Sequence, residues 1–509
     1  MSAPESGSPA PRPSSPSSPP GPDLAGWWGN LTAAALLGTA RRPPPEVPDV
    51  LGGARSGAGA EVALLDAAAL GAVLRRAGAA PRRAEEVDAA AADAHPAAPA
   101  RAVQLLELLL HQTPVGPVLS PRLVERWLLT CVQHGRRAPH HLLPELLDLA
   151  AREPWLREAV LAAGDHRAAW LVRVNPTWAS SAAAAASTTR PEGVDADAWA
   201  RETRERRAEQ LETLRLSDPA AARALLETTW RTDSAADRVA LLALLRTGLG
   251  DADEAFLDAA LDDRSAKVRE IAAELLNALP GSARALRHAE RLRPLVRRTG
   301  LVRHKLEVEL PPEPDAAAVR DGLVRPKGVG SVRAWWLQRL AAGAPLEVWT
   351  DASGTGPAGT WRMIEQPEVR AGIVEATLAR GDLAWAAAVA GDLWHPRLLR
   401  LLPAEQVDQV ATRHLRDATT LDQVATIVTS APAPWGPGFA RGVVERLRGE
   451  KGSPLLVNQL VVPLATGLDP VALPALGAWR ERLEGGPRDS VGRICQYLAL
   501  VPALSEAFA

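Results

Sequence analysis

Four short amphipathic segments between residues 218 and 279 constrain the fold of this chain most strongly. The spacing of their apolar residues predicts helices over 218–230, 234–247, 254–261 and 265–279, with brief polar joints between them. Short helices with such joints must pack as antiparallel neighbours. In the last segment Val268, Ile271 and Leu275 lie on one face, and the small residues Ala272 and Ala273 allow close approach of another helix. We therefore predict stacked helix pairs.

The segment from Leu261 to Leu276 resembles the second helix of a HEAT-type repeat. In that family an Asp caps the inner helix and a Val-Arg pair begins its packed face, and Asp263, Val268 and Arg269 match these roles. The resemblance implies a HEAT-like α-α superhelix, or solenoid, which is a surface architecture without inherent chemistry.

The rest of the sequence also favours helix, so we predict an all-α protein. Apolar residues recur at spacings of three and four, and the alternation typical of strands is nearly absent. The segment 61–77 is one such helix, with Val62, Leu65, Ala69 and Val73 on one face. Residues 198–216 are predicted to form one highly charged helix with a solvated outer face.

The sequence also divides into regions of different character. These are a disordered Ser/Pro-rich tail (1–23), an N-terminal helical region (24–175), an Ala/Ser/Thr linker (176–197), HEAT-like repeats ending in a basic stretch (198–306), a Pro/Gly-rich connection (307–330) and a C-terminal helical region (331–509).

Composition and charge exclude several classes of protein. The formal net charge is −2, which does not suit a general polyanion binder. Only two cysteines occur, which excludes a disulfide scaffold and a Cys-based metal motif. No secretory signal or membrane-spanning apolar run is visible, so we expect a cytoplasmic protein without membrane association.

No motif in the sequence indicates catalysis or a cofactor. Gly328-Val329-Gly330 lacks the pattern of a phosphate loop. It is interpreted as a turn before a helix that Ser331 could cap, with a phosphate held near Arg325, Lys327 and Arg333 as the less favoured alternative. The histidines His134, His140 and His141 lie near Cys131, but no fourth metal ligand is evident, and packing is favoured over a metal site. We expect a protein that is not an enzyme and that uses no cofactor or metal.

The basic stretch 284–305 has two interpretations. Its candidate interaction residues are Arg284, Arg287, Arg291, Arg297 and Arg298. The first three share a helical face, which Arg298 would continue after Pro294 kinks the path. Nucleic acid is one candidate ligand, but no aromatic residue interleaves for base stacking. Pairing with acids of the chain itself, such as Glu307 and Glu309, is favoured.

Two tryptophan pairs, Trp27-Trp28 and Trp335-Trp336, are candidates for contact with a protein partner, because Trp is common at interface hot spots. Adjacent residues of a helix cannot both face one core, so one member of each pair is expected to be partly exposed. Arg41 and Arg42 follow the first pair and could hold an acidic group or cap helix carbonyls.

Several segments together resemble an uncharacterised bacterial family. They are the opening run from Trp27 to Pro43, the HEAT-like block through Ser282, Gly328 to Gly330 with Trp335 to Gln338, and Pro345 to Trp349. Genes of that family often lie beside those for a SWIM zinc-finger protein, a MoxR-type AAA ATPase and a von Willebrand A-domain protein. The resemblance implies an interaction scaffold or adaptor in an AAA ATPase and von Willebrand A assembly. The alternative is a nucleic-acid-associated accessory protein that uses residues 284–305.

Overall fold

The described residues fold mostly into α-helices. A computed structural model of the protein describes residues 24–48, 59–77, 89–175, 177–178, 196–301, 304–325, 328, 330–449 and 456–509. These residues contain 27 α-helices and one two-stranded sheet, which confirms the predicted helical class. The predicted tail (1–23) and most of the predicted linker (176–197) lie outside the described residues. The chain divides into two compact units, Met1–Asp88 and Ala89–Ala509.

The first unit contains a pair of packed helices, α1 (Leu24–Leu37) and α2 (Ala60–Ala77). Trp27, Leu31 and Ala67 are buried between them. Gly71 of α2 makes this packing possible, because a Cβ atom there would lie 2.2 Å from the ring of Trp28. Any larger residue would force the two helices apart.

The second unit begins with four helices: α3 (Ala100–Gln112), α4 (Ser120–Gln133), α5 (Leu143–Arg152) and α6 (Arg157–Val174). Pro121 stands in the first turn of α4, where its missing N–H is not needed. Trp127 of α4 is fully buried and donates from Nε1 to the carbonyl of Ala102 at 2.7 Å.

The segment predicted to form HEAT-like repeats follows, and we keep the name HEAT-like block for its helices: α7 (Ala196–Arg201), α8 (Arg204–Ser217), α9 (Pro219–Thr229), α10 (Ala235–Ala243), α11 (Glu254–Ala260) and α12 (Ala266–Leu276). The four helices predicted from 218 to 279 are present, and α12 packs against α10 and α11. Val268 and Ala272 are fully buried there. The assignment of these helices to HEAT repeats stays a prediction.

The prediction of a single solvated helix over 198–216 is wrong. The chain breaks between α7 and α8, where Thr203 caps α8 by accepting a hydrogen bond from the N–H of Arg206 at 3.3 Å. Two of the charged side chains of α8, Arg207 and Arg215, are buried rather than solvated. Their carboxylate partners, Asp233 and Asp253, lie before the starts of α10 and α11, so the local charge pattern did not reveal them.

The middle of the unit comprises α13 (Ala283–Leu292), β1 (Val296–Thr299), β2 (Lys305–Val308), α14 (Ala316–Arg320), α15 (Val332–Gly343), α16 (Glu347–Ser353), α17 (Pro357–Met363), α18 (Pro367–Arg380), α19 (Leu383–Ala390) and α20 (Pro396–Leu399). Its own core includes Trp336, Trp349, Trp361 and Trp385.

The antiparallel hairpin of β1 and β2 was not predicted. Val296 pairs with Val308, and Thr299 pairs with Lys305. Arg298 therefore lies on a strand, and the expectation that it continues the helical face of Arg284, Arg287 and Arg291 is wrong. Each strand has only four residues, too few for a clear alternation in the sequence.

The last helices return to the beginning of the unit. They are α21 (Ala404–Asp417), α22 (Leu421–Ser430), α23 (Pro437–Arg448), α24 (Leu456–Gln459), α25 (Val461–Gly467), α26 (Leu473–Arg480) and α27 (Gly485–Glu506). They share one hydrophobic core with α3–α6. The ring of Phe508 lies 5.2 Å from that of Trp127, centroid to centroid. The two ends of the second unit thus pack together, which goes beyond contacts between neighbours in a stack.

No single helix of the described residues is long and apolar enough to cross a membrane. One bent pair, Val461–Gly467 with Pro470–Arg480, meets that test by length and composition alone, with an angle of 114° between its members. Leu464 and Leu476 of this pair are buried in the shared core.

Candidate functional site

A buried carboxylate, Asp321, gathers three arginines of the basic stretch. Helix α14 ends at this residue, and Gly322 reverses the chain with a φ of +103°. Arg287 donates from Nη2 to Oδ1 of Asp321 at 2.6 Å, and Arg291 donates from Nη1 to Oδ2 at 2.6 Å. Arg284 donates from Nε to the Asp321 carbonyl at 2.9 Å. We call Asp321 and these three arginines the Asp321 cluster.

The electrostatics of the cluster follow from burial and close pairing. Burial alone would raise the pKa of Asp321, but hydrogen bonds from Arg287 and Arg291 hold it below its usual value. Burial lowers the pKa of Arg284 to about 9, so its guanidinium stays charged at neutral pH. Burial, aided by the charges of Arg284 and Arg291, keeps the pKa of the adjacent His288 well below its usual value. His288 is therefore neutral.

The cluster joins the HEAT-like block to the middle of the unit. Arg287 also contacts Asp258 of α11 at 3.2 Å, and Arg320 of α14 binds the same carboxylate at 2.9 Å. Arg284 donates to Oδ1 of Asn277, next to the end of α12, at 2.7 Å. Because these contacts link α11, α13 and α14, the cluster acts as a structural junction.

A cavity of about 260 Å³ opens beside this junction. Its walls are largely apolar and include the Pro-rich loop 311–314, Leu295, Trp336 and Leu340. The guanidinium of Arg291 also lines it but is already paired with Asp321. The volume is below the usual range of small-molecule sites, about 300–1,000 Å³.

Buried Arg–Asp pairs recur through the HEAT-like block, and sequence reasoning missed them. Three arginines on α8 and α10 each reach a carboxylate just before or at the start of a later helix. The pairs are Arg207–Asp233 at 2.6 Å, Arg215–Asp253 at 2.9 Å and Arg238–Asp263 at 2.9 Å. Their side chains are buried, so these residues hold the helices of the block together.

The exposed arginines in the described part of the basic stretch are Arg293, Arg297 and Arg298, and the last two lie on the hairpin. Arg297 is exposed and pairs with Glu309 at 3.3 Å, one of the acids named from the sequence. Arg298 is exposed on β1 and forms no ion pair with a described carboxylate. Arg284, by contrast, is buried, while Arg287 and Arg291 are half-buried and paired. Most of the positive charge is thus neutralised within the chain.

The second tryptophan pair divides as expected. Trp336 is buried and donates from Nε1 to the carbonyl of Val324 at 3.0 Å, whereas Trp335 is half-buried. Ser331 caps α15, as predicted, by accepting from the N–H of Ala334 at 3.3 Å. Arg333, a proposed phosphate ligand, instead donates to the carbonyl of Pro311 at 2.7 Å. Arg325 is exposed, and Lys327 lies outside the described residues.

The first tryptophan pair also has one buried member. Trp27 is buried against α2, and Trp28 is half-buried beside it. Arg42 is exposed and donates from Nη2 to Oδ1 of Asn30 at 2.9 Å; Arg41 is exposed too. The two tryptophans therefore pack against α2, and the two arginines lie at the surface.

The histidines and Cys131 contact other parts of the chain. His140 lies 2.7 Å from Asp93, and His141 lies 3.2 Å from Glu107. His134 stacks on Phe508. Burial raises the pKa of Cys131 to about 12, which makes it a poor nucleophile. Within the described residues, no group of three or more His, Cys, Asp or Glu side chains could hold a metal ion.

These features define a predominantly helical protein whose buried charges join helices to one another. The chain matches a family of unknown function (DUF5691) over residues 30–508, and it belongs to that family. No curated protein and no solved structure shows a significant match. The resemblance inferred from the sequence is confirmed at the level of a family of unknown function, and the family supplies no activity to transfer.

Proposed function

We propose that the protein is a non-enzymatic helical-repeat scaffold or adaptor that binds protein partners in the cytoplasm. The observation that carries this proposal is an apolar stripe on α2, formed by Val62, Leu65, Ala69 and Val73. These residues lie on one helical face, and all four are exposed. Leu65 is 68% exposed, Val73 63% and Val62 50%. We call them the α2 stripe.

The α2 stripe supports partner binding because soluble proteins rarely leave a row of large apolar residues uncovered. Covering a Val or Leu side chain contributes about 1.5–3 kcal/mol. The opposite face of α2 packs on Trp27 and Trp28, so these side chains hold in place the helix that carries the stripe. This gives the first tryptophan pair an indirect role at the interface.

The surroundings of the stripe favour a partner that carries apolar anchors and an acidic group. Leu36 and Leu37 at the end of α1 are exposed. A hydrogen bond of 2.9 Å from Thr39 to Glu61 places this end beside the start of the stripe. Arg41 and Arg42 follow and are exposed, so they are available for a carboxylate. The AAA ATPase and the von Willebrand A-domain protein implied by the resemblance are the partners to test first.

The test is purification of the tagged full-length protein from its native host at moderate salt, with nuclease treatment. We expect stoichiometric recovery of an AAA ATPase or a von Willebrand A-domain protein, and at least a tenfold loss of it with Leu65→Glu. Val471→Glu is the matched control, because Val471 is an apolar residue outside the stripe that is more exposed (82%) than Leu65. Equal recovery with both variants would contradict the role of the stripe.

The alternative function, nucleic-acid binding by residues 284–305, has less support. Only Arg297 and Arg298 of its candidate residues are exposed, and Arg297 is paired with Glu309. Nucleic acid in an untreated preparation without any protein partner would favour this alternative over the scaffold. That binding should then weaken steeply as the salt concentration rises.

A further inference from the structure

A second and larger cleft lies where the two ends of the second unit meet. It encloses about 460 Å³, within the range typical of small-molecule sites. Helix α4 contributes Arg122, Arg126 and Leu129 to its lining, and the C-terminal helices and their loops contribute Trp435, Val462 and Tyr497. The cleft therefore forms only when the first and last helices of the unit pack together.

Two arginines and one carboxylate, Glu125, line this cleft, so one positive charge is in excess among the lining residues. Arg122 is already engaged, because it pairs with Glu125 at 3.3 Å and its guanidinium lies 3.6 Å from the ring centroid of Trp155. Arg126 follows one turn later on the same face of α4. Its guanidinium forms no ion pair or hydrogen bond with the described part of the chain. It is available to bind an anion.

The hydroxyl of Tyr497 is also unpaired within the part of the chain that the structure describes. Tyr497 is only 2% exposed, and its hydroxyl forms no hydrogen bond with the described residues. The hydroxyl oxygen itself is not fully enclosed by the protein, so it is accessible from the cleft. Burial raises the pKa of Tyr497, so the phenol stays protonated and can donate at neutral pH. The hydroxyl is thus a hydrogen-bond donor in a cleft that also contains the Arg126 guanidinium.

The remaining lining suits an apolar body. The ring of Trp435 packs across Gly467, where a Cβ atom would lie 2.3 Å from it. Leu129 is about half exposed (48%) at the cleft. A flat or aromatic group could contact both residues while its charged end reaches Arg126.

We propose that this cleft binds a small organic anion, with its oxyanion held by Arg126 and the Tyr497 hydroxyl and its apolar body against Trp435 and Leu129. A carboxylate and a phosphate offer the same acceptor chemistry to these donors. The proposal is independent of partner binding by the α2 stripe, since the two rest on different residues.

The test is isothermal titration of the full-length protein with phenylacetate, phenyl phosphate and the neutral phenylacetamide. We expect at least one anion to bind at least tenfold more tightly than the amide, and the better of the two identifies the oxyanion. Arg126→Gln should weaken that binding about tenfold or more, and Tyr497→Phe severalfold, as loss of a charged and a neutral hydrogen bond predicts.

Arg264→Gln is the matched control, because Arg264 is an exposed arginine outside the cleft. Arg126 is itself exposed and Tyr497→Phe keeps the ring, so both variants should fold, and circular dichroism checks this. Equal affinity for the anions and the amide, no binding of any probe, or equal effects of the Arg126 and Arg264 variants would overturn the proposal.

Discussion

The buried pair of Arg215 and Asp253 should be one of the most sensitive points of the HEAT-like block. The two side chains are 0% and 2% exposed and lie 2.9 Å apart. Asp253 also accepts from Arg223 at 2.8 Å and from the N–H of Gly250 at 3.2 Å. Asp253→Ala would leave the charge of Arg215 buried with carbonyl partners alone. Such a loss costs about 3–5 kcal/mol.

The matched control is the exposed pair Arg246–Glu274 of the same block. Its side chains are 63% and 51% exposed, although the separation is a similar 2.8 Å. Glu274→Ala should therefore cost only about 0–1 kcal/mol, because solvent screens the exposed pair. The comparison isolates burial from distance.

Hydrogen exchange followed by mass spectrometry measures the effect locally. For Asp253→Ala, amides of α8–α12 should exchange about a hundredfold to several thousandfold faster, as 3–5 kcal/mol requires. The double variant Arg215→Met with Asp253→Leu should recover much of the loss, since no unpaired charge then stays buried between these positions. Similar exchange in the Asp253 and Glu274 variants would refute the structural role assigned to the buried pairs.

Three further predictions concern pH, reactivity and packing. His288 is neutral in the folded protein, whereas the unfolded chain gains a proton on this residue below about pH 6.5. Lowering the pH from neutral to about 5.5 should therefore lower the free energy of unfolding by about 1.4 kcal/mol. His288→Leu should not show this loss, and urea unfolding at the two pH values checks it. Cys131 should be alkylated at least a hundredfold more slowly than the less buried Cys495 at about pH 8, as read from the masses of their peptides. Gly372→Ala should cost about 1–3 kcal/mol in thermal or urea unfolding, because its Cβ would lie 2.5 Å from that of Ala341, whereas Gly477→Ala, with open space around it, should not.

The helices with strong local signals were predicted closely. The spacing of apolar residues also predicts helices over 367–380 and 383–390, and these are the bounds of α18 and α19. Pro367 begins α18, and Gly381 ends it with a φ of +65°, so both ends are encoded in adjacent residues. The hairpin had no such signal, because each strand is short and charged.

The contacts of the site could not be read from the chain in the same way. Asp321 lies 34 residues from Arg287 and 30 from Arg291, and no local pattern links residues so far apart. The sequence did indicate that internal pairing of the arginines was favoured, but the acids it pointed to were Glu307 and Glu309. For α2, the periodicity identified the apolar stripe without indicating whether anything covers it.

The α2 stripe is the surface through which we propose that the protein binds its protein partner. Hydrogen exchange of the full-length chain, alone and with the purified AAA ATPase or von Willebrand A-domain protein, tests this proposal most directly. We predict slower exchange over Ala60–Ala77 in the complex, and no such change with Leu65→Glu at the same concentrations. A complex that protects other helices and leaves Ala60–Ala77 unchanged, or no complex with either protein, would contradict the claim.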